Sequence, residues 1–385
     1  MKLNTYFAKN INILKTFHIL NLVPDKPPSK NWLPSLDGLR AIALLLVFLE
    51  HVTGNLFIES TNNNSIFAFL NFGDAGMGRS GVYLFFVLSS FLLTSQLLRP
   101  GVRFSSAQLW LNYAYKRLIR IYPLYIFILL VYTLFPSFKY SIQDFFNHVA
   151  LQAAENHFWT IPVEVKYYIL LPSIVFVITK LLSRRVSLAF SLFIGVSMIL
   201  KSSELFTLSP PRLSLLPHLP IFLIGSLAAL IHVDILSQKE EESIQYKTGM
   251  EILSMLSVVV ILLSYRTFVS SFLWTVMFGY EMPELPSNHW LYTLHGLLWA
   301  IFLVSHLHGR GWISKLLAWK PLRYIGMISF GMYLWHIAIL GYLNAHLAAP
   351  NIVKFMAIFC VTALVSTGTY IMVERPMMKF KLSFR

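Results

Sequence analysis

Three features of the sequence predict an all-α polytopic membrane protein of about ten transmembrane helices, with no separate soluble domain. Of the 385 residues, 56% are hydrophobic and only 12% charged, and the mean hydropathy is +0.63. Charged residues make up about a quarter of an ordinary soluble domain. Apolar runs of about 20 residues, long enough to cross a bilayer core, recur along the chain. The segments between them alternate between strongly basic and nearly neutral, the pattern that positive-inside bias gives a chain crossing repeatedly.

The elements follow in order. Residues 1–34 are basic and close with PDKPPSKNWLP. The opening MKLNTYFAKNINILK lacks the continuous apolar core of a cleavable signal and reads as a basic amphipathic helix on the inner leaflet. The first membrane helix is expected over 36–57 and the second over 80–98. They are joined by a loop, 58–79, holding Glu59, Asp74 and one basic residue, Arg79. Arg99, Arg103, Lys116, Arg117 and Arg120 make the next segment strongly basic. Further helices are expected over 120–136, 158–180, 186–201 and 213–232, with 137–157 a nearly neutral loop. A polar loop, 233–249, carries the acidic run KEEE. Residues 250–264 read as one span, followed after Tyr265 and Arg266 by an interfacial or re-entrant piece, FVSSFLWTVMF. The last helices are expected over 289–307, 325–346 and 352–373.

Basic character before 36, at 99–120, 180–186, 308–324 and after 374 puts these segments in the cytoplasm. Both termini are then inside. The organisation expected is a cytoplasmic basic segment 1–34, a transmembrane domain 35–376 and a cytoplasmic tail 377–385. The net charge of +14 is explained by these loops rather than by nucleic acid. Cys360 is the only cysteine, which excludes an intrachain disulfide and thiolate metal clusters.

Ionisable groups in hydrocarbon are costly and mark sites. The first helix, SLDGLRAIALLLVFLEH, starts with Asp37 and Arg40 and carries Glu50 and His51 well inside. Arg40 and His51 lie on nearly one face, roughly 16 Å apart along the axis. Counted from the outer side, Glu164 lies about 9 Å and Ser89 and Ser90 about 14 Å deep. Ser329 falls in the first turns of the ninth helix, with His336 about 16 Å in. A polar path is therefore expected, with Arg40, Arg117 and Arg120 at its inner mouth, at the starts of the first and third helices. A His51/Glu164 pair would lie further out. Each residue also has a plainer reading. His51 could be a packing histidine, Glu164 could pair with Lys166, and the arginines could only set topology. Ser89 and Ser90 could be small residues for close helix packing. Glu50, about 100° around the helix from His51, reads as structural. His289, His295, His306 and His308 read as residues of a wet helix end.

Five stretches then carry a resemblance. SLDGLRAIALLLVFLEH, GRSGVYLFFVLSSFLLT, YKRLIRIYPLY, FWTIPVEVKYYILLP and YIGMISFGMYLWH, in that order, resemble the acyltransferase-3 family of integral-membrane acyltransferases. IFLIGSLAAL and the closing VERP are also similar, so the likeness runs from about 35 to 376. The family's arginine–histidine motif falls on Arg40 and His51, and its paired arginines on Arg117 and Arg120. Its Trp-to-Glu motif falls on Trp159 and Glu164, and its late serine and histidine on Ser329 and His336. Ser90, Phe330 and Thr160 depart from the family's usual residues at packing scale. No hydrolase-like domain is expected after the last helix, so an acyl relay through one would need another protein.

The resemblance implies an O-acyltransferase of the inner (cell) membrane. It would move an acetyl group from acetyl-CoA in the cytoplasm to a hydroxyl of an extracytoplasmic carbohydrate. Lipopolysaccharide O-antigen, capsule, peptidoglycan and periplasmic glucans are typical acceptors. A neutral histidine suits the base near pH 7, so His51 is the expected base and Glu164 its orienting or charge-stabilising partner. Arg40, Arg117 and Arg120 would hold CoA phosphates through bidentate contacts. Asp37, Trp159, Ser329 and His336 are expected at the substrate or the oxyanion. No metal is needed. The acceptor either attacks acetyl-CoA directly or receives the acyl group from an acylated His51. Acceptor specificity is expected in loops 58–79, 137–157, 201–212 and 265–289. The expected partners are the bilayer, a carbohydrate or lipid-linked glycan and, if the chain assembles at all, a second copy in a homo-oligomer. The alternative function is a glycan or lipid transporter or exporter, since buried charges mark transport paths too.

Overall fold

The computed structural model describes residues 22–24, 32–57, 72–73, 75–135, 138, 140–153, 155–202, 213–237, 243–265, 268–279 and 290–380. Every regular element among them is helical, and no strand occurs among the described residues. The principal helices are α1 (Pro34–Leu56), α2 (Met77–Leu97), α3 (Ala107–Leu134), α4 (Ile142–Val149), α5 (Thr160–Phe176), α6 (Val186–Ser202) and α7 (Leu219–Ser237). Then come α8 (Ile244–Ser264), α9 (Phe268–Phe278), α10 (Trp290–His308), α11 (Trp312–Leu317), α12 (Lys320–His346), α13 (Asn351–Thr369) and α14 (Arg375–Lys379). A 3-10 turn, Asn156–Trp159, leads into α5, and another, Leu216–His218, into α7. Both α5 and α13 pass into π turns, Val177–Leu181 and Tyr370–Glu374.

Seven of these helical stretches are long and apolar enough to cross a membrane: Met77–Leu97, Ala107–Leu134, Asn156–Leu181, Leu216–Ser237, Ile244–Ser264, Lys320–His346 and Asn351–Lys379. Val186–Leu200 and Thr293–His308 are apolar but shorter. The two apolar runs on either side of Tyr265 form separate helices, α8 and α9.

Two boundaries differ from the sequence reading. Helix α3 starts at Ala107, not near 120, because Ser106 caps it by accepting the Leu109 N–H at 3.4 Å. Arg117 and Arg120 therefore sit about three turns inside a helix rather than at its start. Within the expected loop 137–157, α4 forms on a capping box. Ser141 accepts the Asp144 N–H, and Asp144 accepts the Ser141 N–H. The S-x-x-D pattern before an apolar run was its sequence signal. The N-terminal amphipathic stretch up to residue 21 lies outside the described residues. So do Glu59, Asp74, His289, the KEEE run, loop residues 58–71, 203–212, 266–267 and 280–289, and the end of the tail.

The core is a set of packed apolar helices. Helix α1 packs on α2 and α12, α2 on α7, α8 on α10, and α12 on α13. Close approach of α1 depends on two glycines. A Cβ on Gly326 of α12 would overlap the Asp37 carbonyl oxygen, and one on Gly38 would overlap that of Leu317. Further along the same pair, His51 of α1 bonds His336 of α12. The two contacts occur in the same order along both helices, so α1 and α12 run parallel. Phe48, one turn before His51, is clamped edge-on by Phe355 and Phe359 of α13.

Candidate active site

Asp37 and Arg40 stand one turn apart at the start of α1. Arg40 Nη1 donates to Asp37 Oδ1 at 2.9 Å, and Trp32 Nε1 donates to the other carboxylate oxygen at 3.2 Å. Asp37 thus orients an arginine. It does not line the cavity that Arg40 faces. That cavity, about 330 Å³, is also lined by Ser89 and Gln96 of α2, Arg117 and Arg120 of α3, and Glu164 and Tyr168 of α5. Ser329 and Tyr333 of α12 close it. Three arginines from two helices therefore share one chamber. Of these three arginines, only Arg40 has a carboxylate in salt-bridge range among the described residues. Arg117 lies over the Tyr168 ring at 5.9 Å, with its Nε buried and unbonded. Arg120 Nη1 meets Met378 Sδ at 3.6 Å.

Glu164 and Tyr168 are one turn apart on one face of α5. Glu164 Oε1 accepts from Ser89 Oγ at 2.7 Å and from the Tyr168 hydroxyl. Tyr113 of α3 fixes this part of α5 by donating to the Tyr168 carbonyl at 2.9 Å. The expected Glu164–His51 pairing is absent: the carboxylate is bonded to Ser89 and Tyr168 instead. Lys166 donates to the Leu213 carbonyl at 2.6 Å and does not neutralise Glu164 either. Replacing Glu164 with alanine strips two hydroxyls of their acceptor. The expected cost is about 1–3 kcal/mol, read as a lowered thermal midpoint in detergent, while Glu164→Gln keeps an acceptor oxygen and loses less.

His51 belongs to a second group. Its Nδ1 lies 2.8 Å from His336 Nε2, with the rings 3° from parallel and 5.1 Å apart. His336 is fully buried, and its Nδ1 donates to the Tyr333 carbonyl at 2.6 Å. His157 packs 5.0 Å from His336. The Tyr333 hydroxyl donates to the His157 carbonyl at 2.5 Å and accepts from Thr160 Oγ1 at 3.1 Å. Tyr333 joins the two groups, lining the arginine cavity while holding His336 and His157.

The remaining candidates are placed as follows. Ser329 lines the cavity, but its hydroxyl donates to the Gly326 carbonyl at 2.8 Å. It therefore presents lone pairs, not the proton that an oxyanion requires. Trp159 packs on His218 at 4.9 Å and edge-on to Phe86 at 6.1 Å, outside the cavity lining. Ser90 bonds its own helix through Phe86 and Val87 and lies against Gly225. Glu50 accepts the Gly78 N–H at 2.9 Å near the start of α2. His295, His306 and His308 are 1%, 1% and 5% exposed, so the wet-interface reading is corrected. His295 bonds Ser264, His306 approaches Ser35 and His308 pairs with His232.

The sequence reading missed Tyr168, Tyr333 and His157. The first two stand one turn from Glu164 and His336 on the same helices, which was the available signal.

The sequence model of the acyltransferase-3 family, an acyltransferase domain, matches residues 33–371. The chain belongs to that family. All of the chamber and the histidine group fall inside the matched span. This acyltransferase-3 protein is 25% identical over 391 residues to the peptidoglycan O-acetyltransferase OatA of Listeria monocytogenes, covering 91% of this chain and 56% of that relative. It is 23% identical over 393 residues to the O-acetyltransferase OatA of Staphylococcus aureus, covering 92% of this chain and 58% of the relative. The chain thus spans a little over half the length of these curated relatives. No solved structure matches it.

Proposed function

We propose that this protein transfers an acetyl group from acetyl-CoA to a hydroxyl of an extracytoplasmic carbohydrate, with His51 as the base. The observation that carries the reading is the chamber in which Arg40, Arg117 and Arg120 converge, two of them with no carboxylate in salt-bridge range among the described residues. Guanidinium forks suit the pyrophosphate and ribose phosphate of CoA. Tyr333, which lines the chamber, is bonded to His336, the histidine that contacts His51. The proposed membrane arrangement counts ten spans: the seven long apolar stretches, α1, and the two shorter apolar helices. Both termini and the basic segments face the cytoplasm of a cell (inner) membrane. The relatives' names support acetyl as the group moved, and the Listeria name favours peptidoglycan among the acceptor classes that the resemblance implies.

In the reaction, His51 takes the acceptor hydroxyl proton as the oxygen attacks the thioester carbonyl. The tetrahedral adduct expels the CoA thiolate, which recovers the proton from His51. The ester forms, the carbon–sulfur bond breaks and no metal is needed. Glu164, held by Ser89 and Tyr168, acts at the chamber side on the donor arm or the acceptor rather than through His51.

Acetyl-CoA binding to the purified protein in lipid nanodiscs tests the reading. Arg117→Ala and Arg120→Ala are each expected to weaken binding by about 10–100-fold, the loss of a charge-assisted hydrogen bond. Wild type that neither binds nor consumes acetyl-CoA overturns the proposal and favours an exporter.

A further inference from the structure

We propose that His336 is a positioning residue, holding His51 in the one tautomer that leaves its Nε2 lone pair free to act as the base. The inference rests on the role of His51 proposed above. It follows from two short contacts taken together. The Tyr333 carbonyl can only accept, so the 2.6 Å contact puts a proton on His336 Nδ1. A neutral imidazole carries one N–H, so His336 Nε2 is an acceptor. The 2.8 Å contact between His336 Nε2 and His51 Nδ1 then needs its donor from His51. His51 carries its proton on Nδ1 and has its lone pair on Nε2.

The surroundings explain why a histidine rather than a carboxylate fills this role. His336 is 0% exposed, and a charged group there would need a compensating partner. The titratable groups facing the pair are His157, packed 5.0 Å from His336, and, on α12 itself, the Tyr333 hydroxyl, bonded to the His157 carbonyl. On the histidine's own helix, Glu50 is engaged by the Gly78 N–H. Near-parallel rings and the clamp of Phe48 between α12 and α13 restrict rotation of the dyad. When the acceptor oxygen gives its proton to His51 Nε2, the imidazolium keeps its Nδ1–H bond to His336, and the thiolate leaving the thioester takes the proton back. Orientation is conserved through the step because only the outward nitrogen changes protonation.

Histidine-labelled protein in lipid, observed by 15N NMR, tests the tautomer without turnover. His51 is expected to be protonated at Nδ1 in wild type and a tautomer mixture in His336→Ala. Kinetics in proteoliposomes supply the second arm. His336→Ala is expected to lose about 10–100-fold in kcat with KM for acetyl-CoA unchanged. His336→Gln, whose amide oxygen can accept from His51 Nδ1, is expected to recover most of it. His336→Glu is expected to move the acid limb of kcat/KM upward by about one pH unit or more, because a carboxylate beside His51 favours its charged form. His51 protonated at Nε2 in wild type, or alanine and glutamine variants with equal kcat and unshifted pH profiles, overturns the inference. A correct tautomer with no acetyl turnover overturns the proposed function alone, so the two failures are distinct results.

Discussion

Replacing His51 with alanine is expected to lower acetyl transfer by about 100–10,000-fold, the contribution of a positioned general base. The assay is labelled acetyl transfer by protein reconstituted in lipid, with acetyl-CoA binding measured on the same preparation. Because His51 lies outside the arginine chamber, the donor is expected to bind the variant about as well as wild type. The loss should therefore fall on kcat, as it does when an interaction made only in the transition state is removed. The imidazole does contribute packing against His336, so stability must be checked alongside. Turnover within a few-fold of wild type in a folded variant removes His51 from the mechanism.

Gly326→Leu is expected to prevent assembly of the α1/α12 pair. The obstruction is the Asp37 carbonyl oxygen, a backbone atom that cannot rotate away as a side chain would. Overpacking costs about 1–3 kcal/mol where neighbours can yield, and this position sits at or beyond that limit. The smaller Gly326→Ala should still separate the helices at Asp37. It would disturb the Asp37–Arg40 pair at one end and the His51–His336 bond at the other. Gly341 on the same helix has open space where its Cβ would stand, so Gly341→Ala is the matched control and should be neutral or slightly stabilising. Thermal unfolding followed by size-exclusion chromatography reads both. Equal midpoints for Gly326→Leu and wild type would mean that α1 and α12 do not pack through this contact.

Much of this architecture was legible in the chain. Long apolar runs specify their own helices because a bilayer forces backbone groups to bond within the segment. Boundaries failed where polar and apolar residues mix. The stretch from Ala107 to Arg120 looks like a basic loop until Ser106 is recognised as a cap. The site was legible by residue and not by pairing. Depth along the membrane put Glu164 and His51 at similar levels, but depth says nothing about rotation about the helix axis. Rotation decides the partner, giving Glu164 to Ser89 and Tyr168 and His51 to His336. Asp37 and Ser329 show the same limit. Each stands beside the chemistry, but its polar atoms are committed to Arg40 and to the Gly326 carbonyl.

The π turn at Tyr370–Glu374 has a consequence for how this chain tolerates change in length. A π turn takes up one residue more than an α turn, which rotates everything downstream by about 100° relative to an uninterrupted helix. That offset in phase points the last segment at α3, where Met378 meets Arg120 and the Phe380 carbonyl accepts from Tyr115 at 3.3 Å. Losing one residue between 370 and 374 would restore continuous α phase and swing those contacts away from the arginine wall. Substitutions within the turn keep the count and so keep the aim. In this stretch the number of residues carries structural information that their identities do not.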